Sequence, residues 1–206
     1  MSFFTTSVSS NYDNLAYDFN FRDLDGTSIN LSEYKGKVII VINVASQCGF
    51  TKQYEDMQNL WEKYQKDGVI MLGIPSNDFG SQEPGSSEDI KNFCESKFGI
   101  TFPITEKVKV KGEKAHPFYK WAEKNYGSSA VPKWNFHKII INRDGKIEDT
   151  FGSITKPSSK RFMPFQALIT IWVRHARLWP PPPHPRQTRQ QRMRISWSTA
   201  TELLKP

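Results

Sequence analysis

One cysteine stands between a predicted strand and a predicted helix. Residues 37–44 read KVIIVINV, a β-branched run typical of a strand covered on both faces. The loop after it carries Cys48, and apolar residues at helical spacing predict a helix over residues 51–66. Unpaired backbone N–H groups and the helix dipole at a helix start stabilise a thiolate, which is the reactive form of cysteine. We therefore expect Cys48 to be a nucleophile; the alternative is an inert, buried cysteine.

A strand, then Cys-x-x-(Cys or Thr), then a helix is the active-site arrangement of thioredoxin-like folds. Here the fourth position is Thr51, so a disulfide cannot form within the turn, and dithiol reductase chemistry by this motif alone is not expected. The second cysteine, Cys94, lies on another predicted helix. Two cysteines do not make the disulfide framework of small secreted proteins, and in a reducing compartment such a pair is more often redox-active than structural.

The remaining pattern predicts an α/β fold. Residues 69–74 form a second buried strand, joined to the first by a right-handed parallel crossover. The long polar loop that follows, residues 75–85, is a candidate functional loop. The other predicted elements are strands at 16–21 and 27–31 around a turn at 23–26, helices at 86–98 and 115–126, and a hairpin of 138–141 and 147–151 around 142–145.

The net charge of +7 comes from the end of the chain. Residues 1–160 hold 20 basic and 20 acidic side chains, whereas residues 161–206 hold eight basic residues, seven of them Arg, and one acidic residue. We therefore predict a neutral domain over residues 1–160 and an atypical basic, Pro- and Arg-rich segment of unknown structure over residues 161–206. An arginine-rich arm can bind nucleic acid or anionic lipid. The wide spacing of these arginines argues against it, so neither a nucleic acid nor a membrane is an expected partner.

The start of the chain lacks the basic and apolar regions of a signal peptide, and its apolar runs are far shorter than a membrane span. We therefore expect a cytoplasmic protein. The four histidines show no metal-ligand spacing with the cysteines, so neither a metal nor a bound cofactor is expected. They are His116, His137, His175 and His184.

Three motifs, in order, resemble the glutathione peroxidase family over roughly residues 14–157. Residues 43–51, NVASQCGFT, are similar to the family's signature around its nucleophile. Residues 72–80, LGIPSNDFG, are similar to the second signature, and residues 134–136, WNF, to the third. Shorter similarities are EPG at 83–85 and GEKAHP at 112–117. The resemblance implies a thioredoxin-like fold with a central mixed sheet flanked by helices.

The resemblance also implies a catalytic tetrad of Cys48, Gln82, Trp134 and Asn135, in a peroxidase that takes part in the response to oxidative stress. Attack of a thiolate on a peroxide moves negative charge onto the departing oxygen. Neutral N–H donors stabilise that charge without the desolvation of an ion, and the amide and indole groups of the three partners are such donors. Taken singly, Gln82 is as well explained as a solvated loop residue, Asn135 as a turn former and Trp134 as a core residue.

The resemblance places Cys94 at the resolving cysteine of those members that form an internal disulfide and are recycled by thioredoxin rather than glutathione. The sulfenic acid left on Cys48 condenses with a nearby thiol, and a disulfide needs Cα atoms within about 7 Å. Because Cys94 lies in the middle of a predicted helix, we expect that helix to unwind locally. The alternative is a core cysteine.

Several positions depart from the family pattern. Cysteine replaces the selenocysteine often found at the nucleophile, which implies slower chemistry. Ser76 and Asp78 stand where the family often has Cys and Gln, so Cys94 is the internal thiol that remains, and the Asp78 carboxylate opposes the thiolate if it points inward. The short segment between Gly112 and Trp134 implies a monomer. The family's C-terminal helix has no recognisable match, although residues 162–172 are apolar enough to supply it.

The leading hypothesis is reduction of hydrogen peroxide and organic hydroperoxides by Cys48, with Cys94 as the resolving residue and thioredoxin as the reductant. One alternative is a glutathione-dependent peroxidase in which Cys94 is idle. A second is a redox sensor that passes oxidation to a partner protein. A third is a non-catalytic thioredoxin-fold module whose basic tail binds anionic polymers.

Overall fold

A mixed four-stranded sheet forms the centre of the domain. The structure, a computed structural model, describes residues 12–162. The strands are β1 (Asn20–Arg22), β2 (Ser28–Asn30), β3 (Val38–Val44), β4 (Val69–Pro75), β5 (Lys138–Ile141) and β6 (Ile147–Phe151). The sheet order is β4–β3–β5–β6, in which β3 is parallel to β4 and the other pairs are antiparallel, while β1 and β2 form a separate antiparallel ribbon. The predicted α/β class with a mixed sheet is confirmed.

The two central strands are buried along their whole length. All seven residues of β3 and all seven of β4 are buried, which explains why both sequences are almost entirely apolar. Their parallel register pairs Val38 with Val69 and Val44 with Pro75. The two loops that leave the carboxyl ends of these strands therefore start side by side, one of them carrying Cys48 and the other Gln82.

Within residues 12–162, three helices flank the sheet: α1 (Gln53–Tyr64), α2 (Ser87–Phe98) and α3 (Pro117–Tyr126). A capping box starts α2, in which Ser86 Oγ accepts the N–H of Asp89 at 3.2 Å and the Asp89 carboxylate accepts the N–H of Ser86 at 2.8 Å. Gly99 ends α2 with a φ of +58°. The predicted helices are confirmed, with ends shifted by two residues at most.

The first predicted strand is wrong in its N-terminal half. Ala16–Asp18 forms a 3₁₀ turn, and β1 begins only at Asn20. The turn forms because the Asp18 carboxylate accepts the N–H of Leu15 at 2.9 Å, while the first residue of the turn donates its N–H to the carbonyl of Gly145 at 2.9 Å. A side-chain acceptor and a distant carbonyl thus take the N–H groups that a ladder would need.

The expectations for the C-terminus fall almost wholly outside the described residues. Both the possible helix at residues 162–172 and the basic segment reach the described part only at its last residues. The domain division at residue 160 therefore stays a prediction. Within residues 12–162, no helix is long and apolar enough to cross a membrane.

Candidate active site

Cys48 lies in a tight turn between β3 and α1 that Thr51 holds closed. The Thr51 hydroxyl donates to the carbonyl of Cys48 at 2.7 Å, and the N–H of Cys48 donates to Thr51 Oγ1 at 3.1 Å. The residue that replaces the second cysteine of a dithiol motif thus has a structural role. The Cys48 thiol is free and 9% exposed, and its sulfur accepts the N–H of Phe50 at 3.4 Å. A backbone donor therefore points at the sulfur from the turn that leads into α1.

Gln82 and Asn135 meet beside this turn. The N–H of Gln47 donates to the carbonyl of Gln82 at 3.0 Å, which joins the Cys48 loop to the loop after β4. The fully buried Asn135 donates from Nδ2 to Gln82 Oε1 at 2.9 Å. Its own Oδ1 has no hydrogen-bond partner within residues 12–162. The structure therefore brings two predicted donors into contact and orients the Gln82 amide with its Nε2 turned away from Asn135.

Trp134 and Asn135 lie on a bend that Asn43 of β3 holds in place. The Asn43 side chain donates from Nδ2 to the carbonyl of Trp134 at 3.1 Å and accepts the N–H of His137 at 3.1 Å. Its backbone carbonyl accepts the N–H of Phe136 at 2.6 Å. Asn43 is not among the predicted site residues. Its signal in the sequence is a polar side chain inside an otherwise apolar strand that is buried throughout.

Unfavourable backbone conformations lie next to two of the predicted donors. Among residues 12–162, the non-glycine residues with positive φ are Ser81, at +51°, and Phe136, at +62°. Ser81 precedes Gln82, and Phe136 follows Asn135. Left-handed backbone is unfavourable for a residue with a side chain, and it is often retained at functional sites, where the surroundings enforce it. Contacts with the rest of the domain therefore hold both bends.

Trp134 lies at the surface of the site. It is 40% exposed, which excludes the alternative that it is a core residue. Its ring packs against that of Phe79, from the loop after β4, with 5.8 Å between centroids. A groove of about 420 Å³ lies beside it, and Phe50, Phe151 and Arg161 are among the residues that line it. An apolar surface thus adjoins the Cys48 turn.

Cys94 is enclosed in the middle of α2. Its thiol is free and 2% exposed. The ring of Tyr54 in α1 contacts Phe93 and Phe98, which lie on either side of Cys94 along α2, at centroid distances of 6.5 and 5.3 Å. Burial raises the pKa of the Cys94 thiol to about 11, and the negative charge of Glu83 contributes to this shift. At neutral pH the folded helix therefore holds Cys94 as a thiol, and the two cysteines are not joined.

The Asp78 carboxylate is paired with groups from the segment that precedes α3. Its carboxylate lies 2.8 Å from the Lys109 ammonium and accepts the N–H of Val110 at 2.7 Å. Burial by itself would raise the pKa of Asp78, but these two partners and Ser76 outweigh it and hold the pKa below its ordinary value. The Asp78 carboxylate, at a position that departs from the family pattern, is therefore bonded to groups that do not belong to the Cys48 turn.

A buried lysine that the sequence analysis does not identify supports the start of α1. Lys138 is fully buried, and its Nζ donates to Gln53 Oε1 at 2.6 Å and to the carbonyl of Thr155 at 2.8 Å. Gln53 in turn donates to the carbonyl of Ser153 at 2.6 Å. Burial lowers the pKa of Lys138 to about 7. This network ties the helix that follows Cys48 to the sheet and to the chain after β6.

The sequence predicts that the protein holds no metal ion. Within the described part of the chain, no group of three or more His, Cys, Asp or Glu side chains is arranged to hold a metal ion. His175 and His184 lie outside that part. The expectation of no metal and no bound cofactor stays a prediction.

Comparison with known proteins identifies relatives over most of the domain. The sequence model named Glutathione peroxidase matches residues 16–123. The chain is 45% identical over 152 residues to the hydroperoxy fatty acid reductase gpx1 of Synechocystis sp., a match that spans 70% of this chain and 90% of that protein. It is 44% identical over 147 residues to the glutathione peroxidase-like peroxiredoxin 2 of Saccharomyces cerevisiae, which spans 69% of this chain and 90% of the yeast protein.

Solved structures agree with the sequence relatives. The crystal structure of Trgpx in apo form is similar with a TM-score of 0.60 and 34% identity, over 79% of this chain and 97% of that chain. A thioredoxin family thiol:disulfide interchange protein from Chlorobium tepidum has a TM-score of 0.54 at 18% identity, over 75% of this chain and 92% of its own, and so shares the fold. The chain belongs to the glutathione peroxidase family and is a peroxidase built on a thioredoxin-like fold.

Proposed function

We propose that the protein reduces hydrogen peroxide and organic hydroperoxides with Cys48 as the nucleophile. The thiolate sulfur attacks one peroxide oxygen, the O–O bond breaks, and the departing oxygen takes up a proton and leaves as water or an alcohol. Cys48 becomes a sulfenic acid, so the sulfur is oxidised and the peroxide is reduced. The observation that carries the proposal is the 2.9 Å hydrogen bond between Asn135 and Gln82, whose own carbonyl accepts the N–H of Gln47, the residue before Cys48.

In this proposal Gln82, Trp134 and Asn135 act as neutral donors to the reacting atoms. Asn135 occupies Gln82 Oε1, so the amide of Gln82 has its Nε2 available for the sulfur or the departing oxygen. The Trp134 indole supplies a further N–H from the exposed edge of the site. Because a bonded and partly buried donor needs little reorganisation as charge develops, it stabilises the transition state more than water does.

Cys94 is proposed as the resolving residue. Its thiol condenses with the Cys48 sulfenic acid, which forms a disulfide and releases water. A dithiol of thioredoxin then reduces that disulfide and becomes oxidised itself. Because Cys94 is 2% exposed inside α2, the helix must open locally before the two sulfurs can meet.

Other properties belong to the same proposal. The aromatic lining of the groove beside Trp134 suits organic hydroperoxides. The relatives' names, which include a hydroperoxy fatty acid reductase and a glutathione peroxidase-like peroxiredoxin, support this substrate class and a cysteine-based cycle. We further propose a cytoplasmic monomer that needs no bound cofactor, only a thiol co-substrate. Two free cysteines in one domain suit a reducing compartment.

Glutathione is the second candidate reductant, and the enclosure of Cys94 favours it. A thiol with a pKa of about 11 resolves slowly, which gives an external thiol time to attack the sulfenic acid. A redox sensor would use the same slow step to pass oxidation to a partner protein.

Steady-state peroxide consumption tests the proposal. Wild type, Cys48→Ser and Cys94→Ser are each assayed with thioredoxin and its reductase or with glutathione. Loss of turnover in Cys48→Ser with both reductants supports the nucleophile. Loss in Cys94→Ser with thioredoxin alone supports resolution by Cys94. Retention of thioredoxin turnover in Cys94→Ser assigns the glutathione-type cycle instead, and stoichiometric oxidation without turnover in wild type assigns the sensor.

A further inference from the structure

Glu83 is a buried carboxylate with no assigned role. It is 1% exposed, and both of its oxygens are bonded to one residue of the Cys48 loop. The N–H of Ser46 donates to Oε2 at 2.9 Å, and the Ser46 hydroxyl donates to Oε1 at 2.7 Å. A carboxylate is withdrawn from water only where donors compensate it, and two donors from the same residue form a directional contact.

The loop around Glu83 is itself anchored. The N–H of Glu83 donates to Asn77 Oδ1 at 2.8 Å. On the other side, the Lys107 ammonium donates to the carbonyls of Glu83 and Gly85, both at 2.7 Å. The carboxylate is therefore presented from a fixed backbone rather than from a free loop.

The hydrogen bonds of Glu83 add to those that join the Cys48 loop to the loop after β4. Ser46 is bonded to Glu83, and the next residue, Gln47, donates its N–H to the carbonyl of Gln82. Cys48 follows directly, and Gln82 directly precedes Glu83. Consecutive residues of one loop are thus bonded to consecutive residues of the other, so the Ser46–Glu83 bonds lie next to the bond that joins Gln47 to Gln82.

We propose that Glu83 is a positioning residue for the peroxide-reacting site, whose carboxylate fixes the Cys48 turn against the loop that presents Gln82. It touches neither substrate nor the reacting sulfur. The inference rests on the proposed function of Cys48, because a fixed separation of Cys48 and Gln82 matters only if both act on the peroxide. Displacements of about 1 Å far from the chemistry can slow a reaction about a hundredfold.

The test measures a single turnover in the Cys94→Ser background, where resolution is absent. Purified, reduced protein is mixed with hydrogen peroxide, and Cys48 sulfenic acid is trapped with dimedone and quantified by mass spectrometry against time. Glu83→Ala is expected to lower the second-order rate constant about 10- to 100-fold. Glu83→Gln is expected to remain within about threefold of wild type, because its oxygen can accept the Ser46 N–H and its amide can donate to the Ser46 hydroxyl.

A matched control comes from Asp78, a buried carboxylate of the same loop whose bonds go to Lys109 and Val110. Asp78→Ala is expected to lower the urea midpoint. The folded Asp78→Ala protein is expected to form sulfenic acid at a rate within about threefold of that of its Cys94→Ser parent. Rates are compared only where circular dichroism shows each variant folded. Should Glu83→Ala fail to fold, Ser46→Ala takes its place, with an expected loss of about 3- to 10-fold for one missing bond.

Three results would overturn the proposal: a wild-type rate in folded Glu83→Ala, a wild-type rate in the substituted Ser46→Ala test, or equal slowing by Asp78→Ala. Cys48→Ser separates this failure from that of the proposed function. If Cys48→Ser still consumes peroxide, the proposed function is wrong. If Cys48→Ser is inactive and folded Glu83→Ala is as fast as its parent, only the positioning role is wrong.

Discussion

The two cysteines lie in regions that differ in how far they are prepared for reaction. The Cys48 turn is fixed by Thr51, by the bond from Gln47 to Gln82, and by a backbone N–H directed at the sulfur. Cys94 lies in a regular, capped helix with its thiol enclosed and its pKa raised by burial to about 11. In the proposed cycle, the fold therefore assembles the site of the first chemical step and leaves the second step to a conformational change.

The largest expected effect separates the two regions completely. Cys94→Ser should abolish thioredoxin-driven turnover, because no internal thiol remains to resolve the sulfenic acid. The first turnover should stay within about twofold of wild type, since Cys94 has no part in the attack on peroxide. Steady-state peroxide consumption with thioredoxin and its reductase checks the first expectation. Rapid mixing without reductant, which gives the peroxide consumed per protein in one turnover, checks the second. A first turnover that is slowed as much as the steady state would show that the regions are not independent.

A donor substitution tests the prepared region alone. Gln82→Ala should slow sulfenic acid formation about a hundredfold, as removal of one oxyanion donor does in other enzymes. Disulfide formation after oxidation should change little. The dimedone-trapping rate measures the first step, and the rate of loss of free thiols measures the second. An unchanged trapping rate would remove Gln82 from the proposed tetrad.

Weakening the helix that carries Cys94 should have the opposite effect. Ser86→Ala removes the cap of α2, which lowers helix stability by about 1 kcal/mol. If local opening of α2 limits resolution, disulfide formation should become about fivefold faster.

The control for this acceleration is a destabilising change elsewhere. Gly145→Ala is strained, because φ is +79° and the added carbon would lie 2.7 Å from the Tyr17 ring. It should lower the urea midpoint without speeding resolution. Equal acceleration by both substitutions would mean that global rather than local unfolding exposes Cys94.

The last expected effect is on stability rather than on the reaction, and it concerns Lys138 beneath the Cys48 turn. The pKa of Lys138 is about 7 in the folded protein, whereas its ordinary value is 10.5. Between about pH 7 and pH 10.5, the unfolded chain therefore holds a proton on Lys138 that the folded protein lacks. The free energy of unfolding should therefore rise with pH between about 7 and 10.5, by up to about 1 kcal/mol per pH unit from this group. Urea titrations at several pH values between about 7 and 9, below the ordinary pKa of the cysteines, should show a steeper rise in wild type than in Lys138→Met. An equal slope in both would place the titrating group elsewhere.

The central sheet could be predicted from the sequence because its signal is local. The fourteen residues of β3 and β4 are all buried, and such strands are recognisable as apolar runs. The turn at Ala16–Asp18 was not predictable, because it depends on a carbonyl of Gly145 that lies far along the chain. Local propensity could not reveal that partner.

The candidate site shows the same limit. The motifs identify Cys48 as a nucleophile candidate, but the contact of Gln82 with Asn135 spans 53 residues and exists only in the folded chain. Asn43 and Glu83 both stand inside the quoted motifs, but the sequence does not show which groups they bind. Their importance lies in the bonds that they accept and donate across loops, which the parallel register of β3 and β4 brings together.

The most direct test of this account follows the fate of each sulfur after one equivalent of hydroperoxide. Reduced wild type and Cys94→Ser are oxidised without any reductant, quenched at intervals, and analysed by peptide mass spectrometry. The account predicts sulfenic acid on Cys48 in Cys94→Ser, and in wild type a Cys48–Cys94 disulfide that forms after it. Consumption of the peroxide with Cys48 unmodified, or with Cys94 oxidised first, would contradict it.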